Sequence, residues 1–203
     1  MIKKLTTLLL FLIVPFSLFS QNIDIQILRS LNSQKIQSSD NFFKFVSNTN
    51  SGVVLGVPVT MGIVGLIKHD DKLFRNACVV VVANGINLGF TYALKYSINR
   101  KRPFETYPDI MKKSDGGDPS FPSGHTSSAF ATATSLSLAY PKWYIIAPSY
   151  LWAGTVGYSR LHLGVHYPSD VMGGMIVGAG SAFLTYKANK WLNNYHGKRH
   201  EYR

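Results

Sequence analysis

Cysteine is nearly absent from this chain of 203 residues, in which Cys78 is the single one and lies inside an apolar run. A disulfide framework and a zinc site built on cysteines are therefore both excluded. A lone cysteine in apolar surroundings behaves as a small hydrophobic side chain, so we expect Cys78 to be buried. The chain also shows no internal repeat and no low-complexity tract, and its length fits one domain.

Charged residues are scarce, at 15% of the chain, while apolar residues make up 46%. Soluble proteins usually carry about 25% charged residues, so this composition favours a membrane protein. The net charge of +11 is compatible with nucleic acid, anionic lipid headgroups or a phosphate substrate as the partner. Because the basic residues cluster in a few short loops rather than along one face, we expect no nucleic acid partner.

Long apolar runs are also lacking, since each of five apolar segments is somewhat short of the roughly 20 residues of a spanning helix. These segments are rich in Gly, Ala, Ser and Thr, which allow membrane helices to approach closely. They comprise residues 52–67, 76–94, 126–140, 143–158 and 171–186. With their flanking residues they predict an all-α helical bundle with five or six transmembrane helices.

Residues 1–20 have the features of an export signal, with Lys3 and Lys4 ahead of an apolar stretch and Ser20 at a candidate cleavage site. An uncleaved first transmembrane helix is the alternative, because Leu18 is bulky for the position three residues before the cut. We expect a helical domain at residues 21–190 and a basic tail at residues 191–203.

Residues 21–51 are polar and mildly amphipathic. Residues 23–31 predict one short helix, and residues 42–46 predict a second, with Asp40 as its N-terminal cap. Such helices either lie in the membrane interface or pack on the surface of the domain.

Charges in the loops indicate the orientation in a membrane. If the N-terminus starts inside, the basic residues at 68–75, Lys142 and the tail also lie inside, as the positive-inside rule requires. The loop at residues 95–122 then lies outside although it is strongly basic. Its cations need another explanation, and we expect them to bind substrate.

The turn at residues 159–170 brings together Arg160, His166 and Asp170. A histidine with an aspartate four residues later and an arginine six residues earlier is a candidate nucleophile with an orienting carboxylate and an anion clamp. His162 has no equally placed partner, and we interpret it as structural.

Two further motifs supply what this turn lacks. Lys95 and Arg102 are separated by six residues, close to two helical turns, so both can face one anion. Ser123, Gly124 and His125 open an apolar segment, where backbone N–H groups bind anions and His125 can carry a proton to a leaving oxygen. For the neighbouring cations we prefer contacts with lipid phosphates; these are Arg100, Lys101, Lys112 and Lys113.

A metal site and a serine hydrolase are the chemical alternatives. Lys95, Arg102 and Arg160 would repel a metal ion, and the chain lacks clustered carboxylates, so we expect neither metal nor cofactor. A Gly-x-Ser-x-Gly motif is absent, and three cations are excessive for an uncharged acyl group.

Together the three motifs resemble the signature of the type 2 phosphatidic acid phosphatase superfamily, which includes class A acid phosphatases and vanadium haloperoxidases. That signature is Lys, six residues, Arg-Pro; then Pro-Ser-Gly-His; then Ser-Arg, five residues, His, three residues, Asp. The chain matches it without a mismatch at Lys95 to Arg102-Pro103, at Pro122-Ser123-Gly124-His125, and at Ser159-Arg160 to His166 to Asp170.

The resemblance implies a role for each residue. His166 would attack phosphorus and form a phosphohistidine, Asp170 would hold His166, and His125 would protonate the leaving alkoxide. The phosphoryl oxygens would be held by Lys95, Arg102, Arg160, Ser123 and the backbone of Gly124.

The expected function is hydrolysis of lipid phosphate monoesters or diphosphates without a metal. We expect an integral membrane enzyme of the bacterial inner membrane with its site facing the periplasm. A soluble periplasmic acid phosphatase and a haloperoxidase are alternatives in the same superfamily. A non-catalytic protein that binds anions or lipids is the alternative from another class, but it would not need the pair His166 and Asp170.

Overall fold

The structure, a computed structural model, describes residues 23–32, 39–117 and 119–201, with side chains to residue 194. Every regular element in this part of the chain is a helix, so the predicted all-α class is confirmed. The predicted signal at residues 1–20 lies outside the described residues. The helices are α1 at residues 23–31, α2 Asp40–Ile67, α3 Asp71–Ile98, α4 Pro103–Thr106, α5 Gly124–Ala139, α6 Trp143–His162 and α7 Pro168–Glu201.

The start of α2 differs from the prediction. Residues 42–46 do not form a separate short helix, because α2 runs without interruption from Asp40 to Ile67. Asp40 is also not the cap, since Ser39 occupies that position. The carboxylate of Asp40 instead accepts hydrogen bonds from Lys113 and His162.

Helix α5 lies at the centre of the bundle, between α3, α6 and α7, while α2 packs against α3 and α6. Its buried residues are almost all small, which allows neighbouring helices to approach closely. The contact with α7 is the most extensive of these. Helix α5 is therefore the element against which the other helices are positioned.

Glycines bring the backbones of α5 and α7 into direct contact. A Cβ atom on Gly178 would lie 2.1 Å from the carbonyl oxygen of Ser127, and one on Gly174 would lie 2.7 Å from that of Ser123. At the same end, the backbone N–H of Ser123 donates to the carbonyl oxygen of Asp170 at 3.0 Å. The first turns of the two helices are thus held side by side.

Helices α2 and α3 turn apolar side chains outward. Both have the length and the apolar composition of a membrane span, yet most of their residues are not buried in the protein. Leu55 of α2 is 67% exposed and Leu88 of α3 is 56% exposed. An apolar surface of this extent fits contact with lipid. Cys78 lies exposed on α3 rather than buried, so that prediction is wrong.

Helix α1 confirms the first predicted short helix and packs on the domain. Ile25 and Leu28 are buried against Ile110 and Tyr167. Asn32, which follows α1, donates from its amide to the carbonyl oxygen of His162 at 2.9 Å. Helix α1 is therefore attached to the segment that carries the third motif.

Candidate active site

The three sequence motifs meet at one end of the bundle. Lys95 lies in the last turn of α3, Arg102 caps α4, residues 123–125 begin α5, and residues 160–170 run from the end of α6 to the start of α7. The side chains approach closely, with Arg102 Nη1 3.3 Å from His166 Nε2. Gly124 and His125 are half-buried. The other predicted site residues are buried, and these are Lys95, Arg102, Ser123, Arg160, His166 and Asp170.

The two ring nitrogens of His166 face opposite environments. Nδ1 lies 3.5 Å from Asp170 Oδ2, a long contact of the kind that catalytic pairs show without substrate. Oδ2 also accepts hydrogen bonds from the backbone N–H of Tyr167 at 2.9 Å and from Ser120 Oγ at 2.5 Å. Nε2 faces the guanidinium of Arg102. The carboxylate therefore sits on one side of the ring and the cations on the other.

His166 belongs to the connection between α6 and α7, outside the spanning segments. Burial lowers the pKa of its imidazole to about 4, against the raising effect of Asp170. At pH 7 the ring is neutral, so one nitrogen carries a lone pair. With Asp170 beside Nδ1, the favoured tautomer leaves that lone pair on Nε2, toward the cations.

The cations make hydrogen bonds to the polypeptide. Lys95 Nζ donates to the carbonyl oxygen of Pro119, and Arg102 Nη1 donates to that of Val165 at 2.9 Å. Arg160 donates to Ser47 Oγ at 2.5 Å and to the carbonyl oxygen of Asp115 at 3.3 Å. Most of these acceptors are neutral carbonyl groups. Phosphoryl oxygens are charged, and they form stronger hydrogen bonds with the same donors.

Ser123 forms the N-terminal cap of α5, and its Oγ accepts from the hydroxyl of Thr126 at 2.9 Å. A Cβ atom on Gly124 would lie 4.0 Å from Cε of Lys95, so the first backbone N–H groups of α5 lie beside that cation. A helix start next to a lysine is a suitable site for an anion. His125 follows on the same turn.

Arg100 is a site residue that sequence reasoning missed. Its Nη1 lies 2.7 Å from Asp170 Oδ1, and its Nη2 lies 3.1 Å from Asp24 Oδ2 of α1. The interpretation of Arg100 as a contact to lipid phosphates is therefore wrong. Asn99 has a left-handed backbone with φ of 48°, which ends α3 and turns the chain toward α7. In a run of four basic or amide residues, nothing in the sequence marks Arg100 as the one that pairs with Asp170.

Replacement of Arg100 by glutamine is expected to lower kcat roughly tenfold with little change in KM, because Asp170 loses a cationic hydrogen-bond partner. Steady-state phosphate release measures both constants. The matched control is Lys101→Gln, which removes the same charge from the next, exposed residue. Equal kcat values for the two variants would show that Arg100 does not position Asp170.

His162 lies apart from this arrangement. Its Nε2 is 2.6 Å from Asp40 Oδ1, and its ring centroid is 4.5 Å from that of Phe43. A distant residue thus supplies a carboxylate partner that the sequence spacing does not reveal, and the contact agrees with the interpretation of His162 as structural. Lys113 lies 2.9 Å from the same carboxylate oxygen, so its interpretation as a lipid contact is wrong.

No group of three or more His, Cys, Asp or Glu side chains suited to a metal ion occurs in the part of the chain that the structure describes. The positive charges come from side chains alone. The arrangement can bind a multiply charged oxyanion and present an uncharged imidazole to it.

A sequence profile described as the PAP2 superfamily matches residues 76–194. The lipid A 4'-phosphatase of Bacteroides thetaiotaomicron is 28% identical over 83% of this chain and 77% of its own length. The undecaprenyl-diphosphatase of Sulfolobus acidocaldarius is 30% identical over 88% of this chain and 87% of its own.

Two solved structures share the fold. The crystal structure of Aquifex aeolicus LpxE is 29% identical, with a TM-score of 0.69 over 81% of this chain and 95% of that one. The transmembrane PAP2 type phosphatidylglycerolphosphate phosphatase from Bacillus subtilis is 23% identical, with a TM-score of 0.73 over 94% of this chain and 97% of that one.

Proposed function

This chain belongs to the PAP2 superfamily, and from that premise we propose that it is a membrane-bound phosphatase that hydrolyses lipid phosphates through a phosphohistidine on His166. Relatives that align over most of its length are named for the hydrolysis of lipid A phosphate and undecaprenyl diphosphate. A soluble acid phosphatase is disfavoured by the outward apolar faces of α2 and α3. A non-catalytic binding protein is disfavoured because binding an anion requires no oriented histidine.

The observation that carries the proposal is the position of His166. Its ring is buried, with Asp170 on the Nδ1 side and Arg102 on the Nε2 side. Because Nε2 lies next to the cations, it is close to the phosphorus atom of any phosphate group that those cations bind. This geometry suits nucleophilic attack on a phosphoryl group.

In the first step, Nε2 of His166 attacks phosphorus in line with the ester oxygen. The new P–N bond forms as the P–O bond to the lipid breaks, and His125 donates a proton to the leaving alkoxide. Asp170 stabilises the positive charge that develops on the imidazole. The products of this step are the lipid alcohol and the phosphorylated enzyme.

In the second step, a water molecule attacks the phosphorus of the phosphohistidine and forms a P–O bond, and His125 takes a proton from that water. The P–N bond breaks, which releases inorganic phosphate and restores the neutral imidazole. In both steps Lys95, Arg102 and Arg160 stabilise the charge on the equatorial oxygens, together with Ser123 and the N–H of Gly124. In other phosphoryl-transfer enzymes metal ions perform much of this electrostatic work.

We place the site at the periplasmic face of the bacterial inner membrane. The distribution of basic residues among the loops supports this orientation, since the other basic loops then lie on the cytoplasmic side. In that position the phosphate of a lipid lies at the same depth as the ends of the helices that carry the site.

The proposal is tested with the purified full chain in detergent. We expect it to release phosphate from a panel containing lipid A, undecaprenyl diphosphate, phosphatidylglycerol phosphate and phosphatidic acid. Vanadate is expected to inhibit competitively because it mimics the five-coordinate transition state, and a metal chelator is expected to have no effect. The absence of phosphate release from every lipid in the panel, together with insensitivity to vanadate, would exclude the proposed reaction.

A further inference from the structure

A cavity of about 520 Å³ lies between α2, α3 and α5 and reaches the proposed catalytic residues. Lys95, Gly124 and His125 line its inner end. In the proposed reaction His125 protonates the leaving oxygen, so the group that departs with that oxygen lies on the side that His125 faces. The side chains that line the cavity should therefore match the polar and apolar parts of the leaving group. This inference rests on the proposed function.

One wall of the cavity is a polar stripe along α3, formed by Lys95, Thr91, Asn87 and Asn84. Their spacing of four, four and three residues places them on one face of the helix. Ser127 and Ser128 of α5 stand opposite. A polar stripe beside a bilayer is costly unless its groups are bonded, so each side chain in it needs a partner.

Some of the polar groups in the stripe form hydrogen bonds between α3 and α5. Thr91 Oγ1 lies 3.0 Å from Ser127 Oγ, and Asn87 donates to the same oxygen at 3.3 Å. Asn84 donates to Thr132 Oγ1 at 3.1 Å. These contacts join the helices, as polar residues do in other membrane bundles.

Asn87 is left with one end of its amide unused. The residue is only 2% exposed, and its Oδ1 has no hydrogen-bond partner among the residues that the structure describes. Rotating the amide would exchange the two atoms but still leave one end without a partner. A sugar hydroxyl both donates and accepts, so it satisfies either orientation.

Beside the stripe the cavity has an apolar part that opens outward. Val54, Leu55 and Pro58 of α2 and Leu88 of α3 line this part, and Leu55 and Leu88 are exposed at its rim. Lys95 and Asn87 are eight residues apart, which is about 12 Å along the helix axis. The cavity thus has a cation at its catalytic end, hydrogen-bonding groups along α3, and an apolar surface formed by α2 and Leu88.

We propose that this cavity binds the phosphorylated sugar of an acylated glycolipid, with Asn87 in contact with a hydroxyl or amide group of the sugar. The acyl chain lies against the apolar part of α2. An isoprenyl diphosphate fits this wall poorly, because its second phosphate would bring further negative charge into the cavity. Among the described residues that line it, Lys95 is the only lysine or arginine, and Lys95 already serves the first phosphate, while the proton on His125 is used for the leaving oxygen.

The test compares three substrates with the purified full chain in detergent: a 4'-phosphorylated, acylated glucosamine disaccharide, dodecyl phosphate and an isoprenyl diphosphate. We expect kcat/KM to be highest for the glycolipid. In Asn87→Leu, the ratio of kcat/KM for the glycolipid to that for dodecyl phosphate is expected to fall roughly tenfold, as for the loss of one hydrogen bond.

The matched control is Asn76→Leu, the same change on the same helix at a residue outside the cavity wall, and it is expected to keep the wild-type ratio. Because the two methyl groups of leucine are bulkier than the amide oxygen and nitrogen that they replace, and Asn87 is buried, Asn87→Ala serves as a second variant that cannot overpack the contact with α5. A wild type that shows no preference for the glycolipid, or Asn87 variants that keep its ratio, would overturn this inference. In both of those outcomes the protein still releases phosphate. If the proposed function itself were wrong, no phosphate would be released from any of the three substrates.

Discussion

Replacement of His166 by alanine is expected to abolish phosphate release, with a loss in kcat on the order of 10⁴-fold or more, as when other enzymes lose their nucleophile. The variant keeps Lys95, Arg102 and Arg160 and so still binds phosphate, but no atom remains that can form the P–N bond. The measurement is phosphate release from lipid micelles. Brief reaction with a ³²P-labelled substrate followed by alkaline denaturation should leave label on the wild type and none on His166→Ala.

His162→Ala is the matched control, since His162 is a second buried histidine in the same segment and pairs with Asp40 rather than Asp170. Its loss is expected to reduce stability while the folded protein still becomes labelled. Turnover by His166→Ala above about one hundredth of the wild-type rate would contradict the covalent route, because the expected loss is far larger.

The pH dependence of kcat/KM provides a second measure of the same residue. Protonation of His166 removes the lone pair, so activity is lost as pH falls through the pKa of the imidazole. Burial lowers that pKa to about 4, and the acid limb is therefore expected near pH 4 rather than near the usual histidine range of about 6.5.

Replacement of His125 by alanine is expected to slow the first turnover of a lipid phosphate by roughly 10²- to 10⁴-fold, the usual contribution of a general acid. A lipid alkoxide is a poor leaving group and needs the proton. Nitrophenolate leaves without one, so the first turnover of para-nitrophenyl phosphate is expected to remain near the wild-type rate. Rapid-mixing measurement of the two first turnovers gives the comparison.

The same variant is expected to accumulate phosphorylated enzyme, because His125 also takes the proton from water in the second step. Para-nitrophenyl phosphate should therefore give a burst of nitrophenol followed by slow turnover, with label retained on the protein. An equal loss of first-turnover rate for both substrates would show that His125 acts in binding rather than as the proton donor.

The helices were largely predictable because each long apolar segment ends in a charged or proline-containing loop. The prediction failed at the start of α2, where a polar stretch at residues 47–51 looked like a break between two helices. In the structure those polar side chains bond to other helices: Asn50 donates to Ser128 at 3.0 Å, and Ser47 accepts from Arg160. Their partners are more than 70 residues away in the chain, so local patterning cannot identify them.

The motif spacings were sufficient to choose eight residues that the structure brings to one end of the bundle. The residues that surround Asp170 were not predictable in the same way. Ser120 lies in a loop without regular periodicity. Asp24 belongs to α1, and its carboxylate accepts a hydrogen bond from the backbone N–H of Ser169, which lies 145 residues later in the chain. Such interactions follow from how the helices pack, which no single sequence window contains.

The contact between α5 and α7 determines how the catalytic residues on the two helices are positioned relative to each other. His125 lies at the start of α5 and Asp170 at the start of α7, and the distance between these helix starts follows from how closely the two backbones approach. Gly178 is eight residues beyond Asp170, about 12 Å along α7. A side chain there would push the helices apart, and a displacement of about 1 Å at reacting groups can reduce a rate about a hundredfold. The alignment of acid and nucleophile thus depends on two interior glycines that touch neither of them.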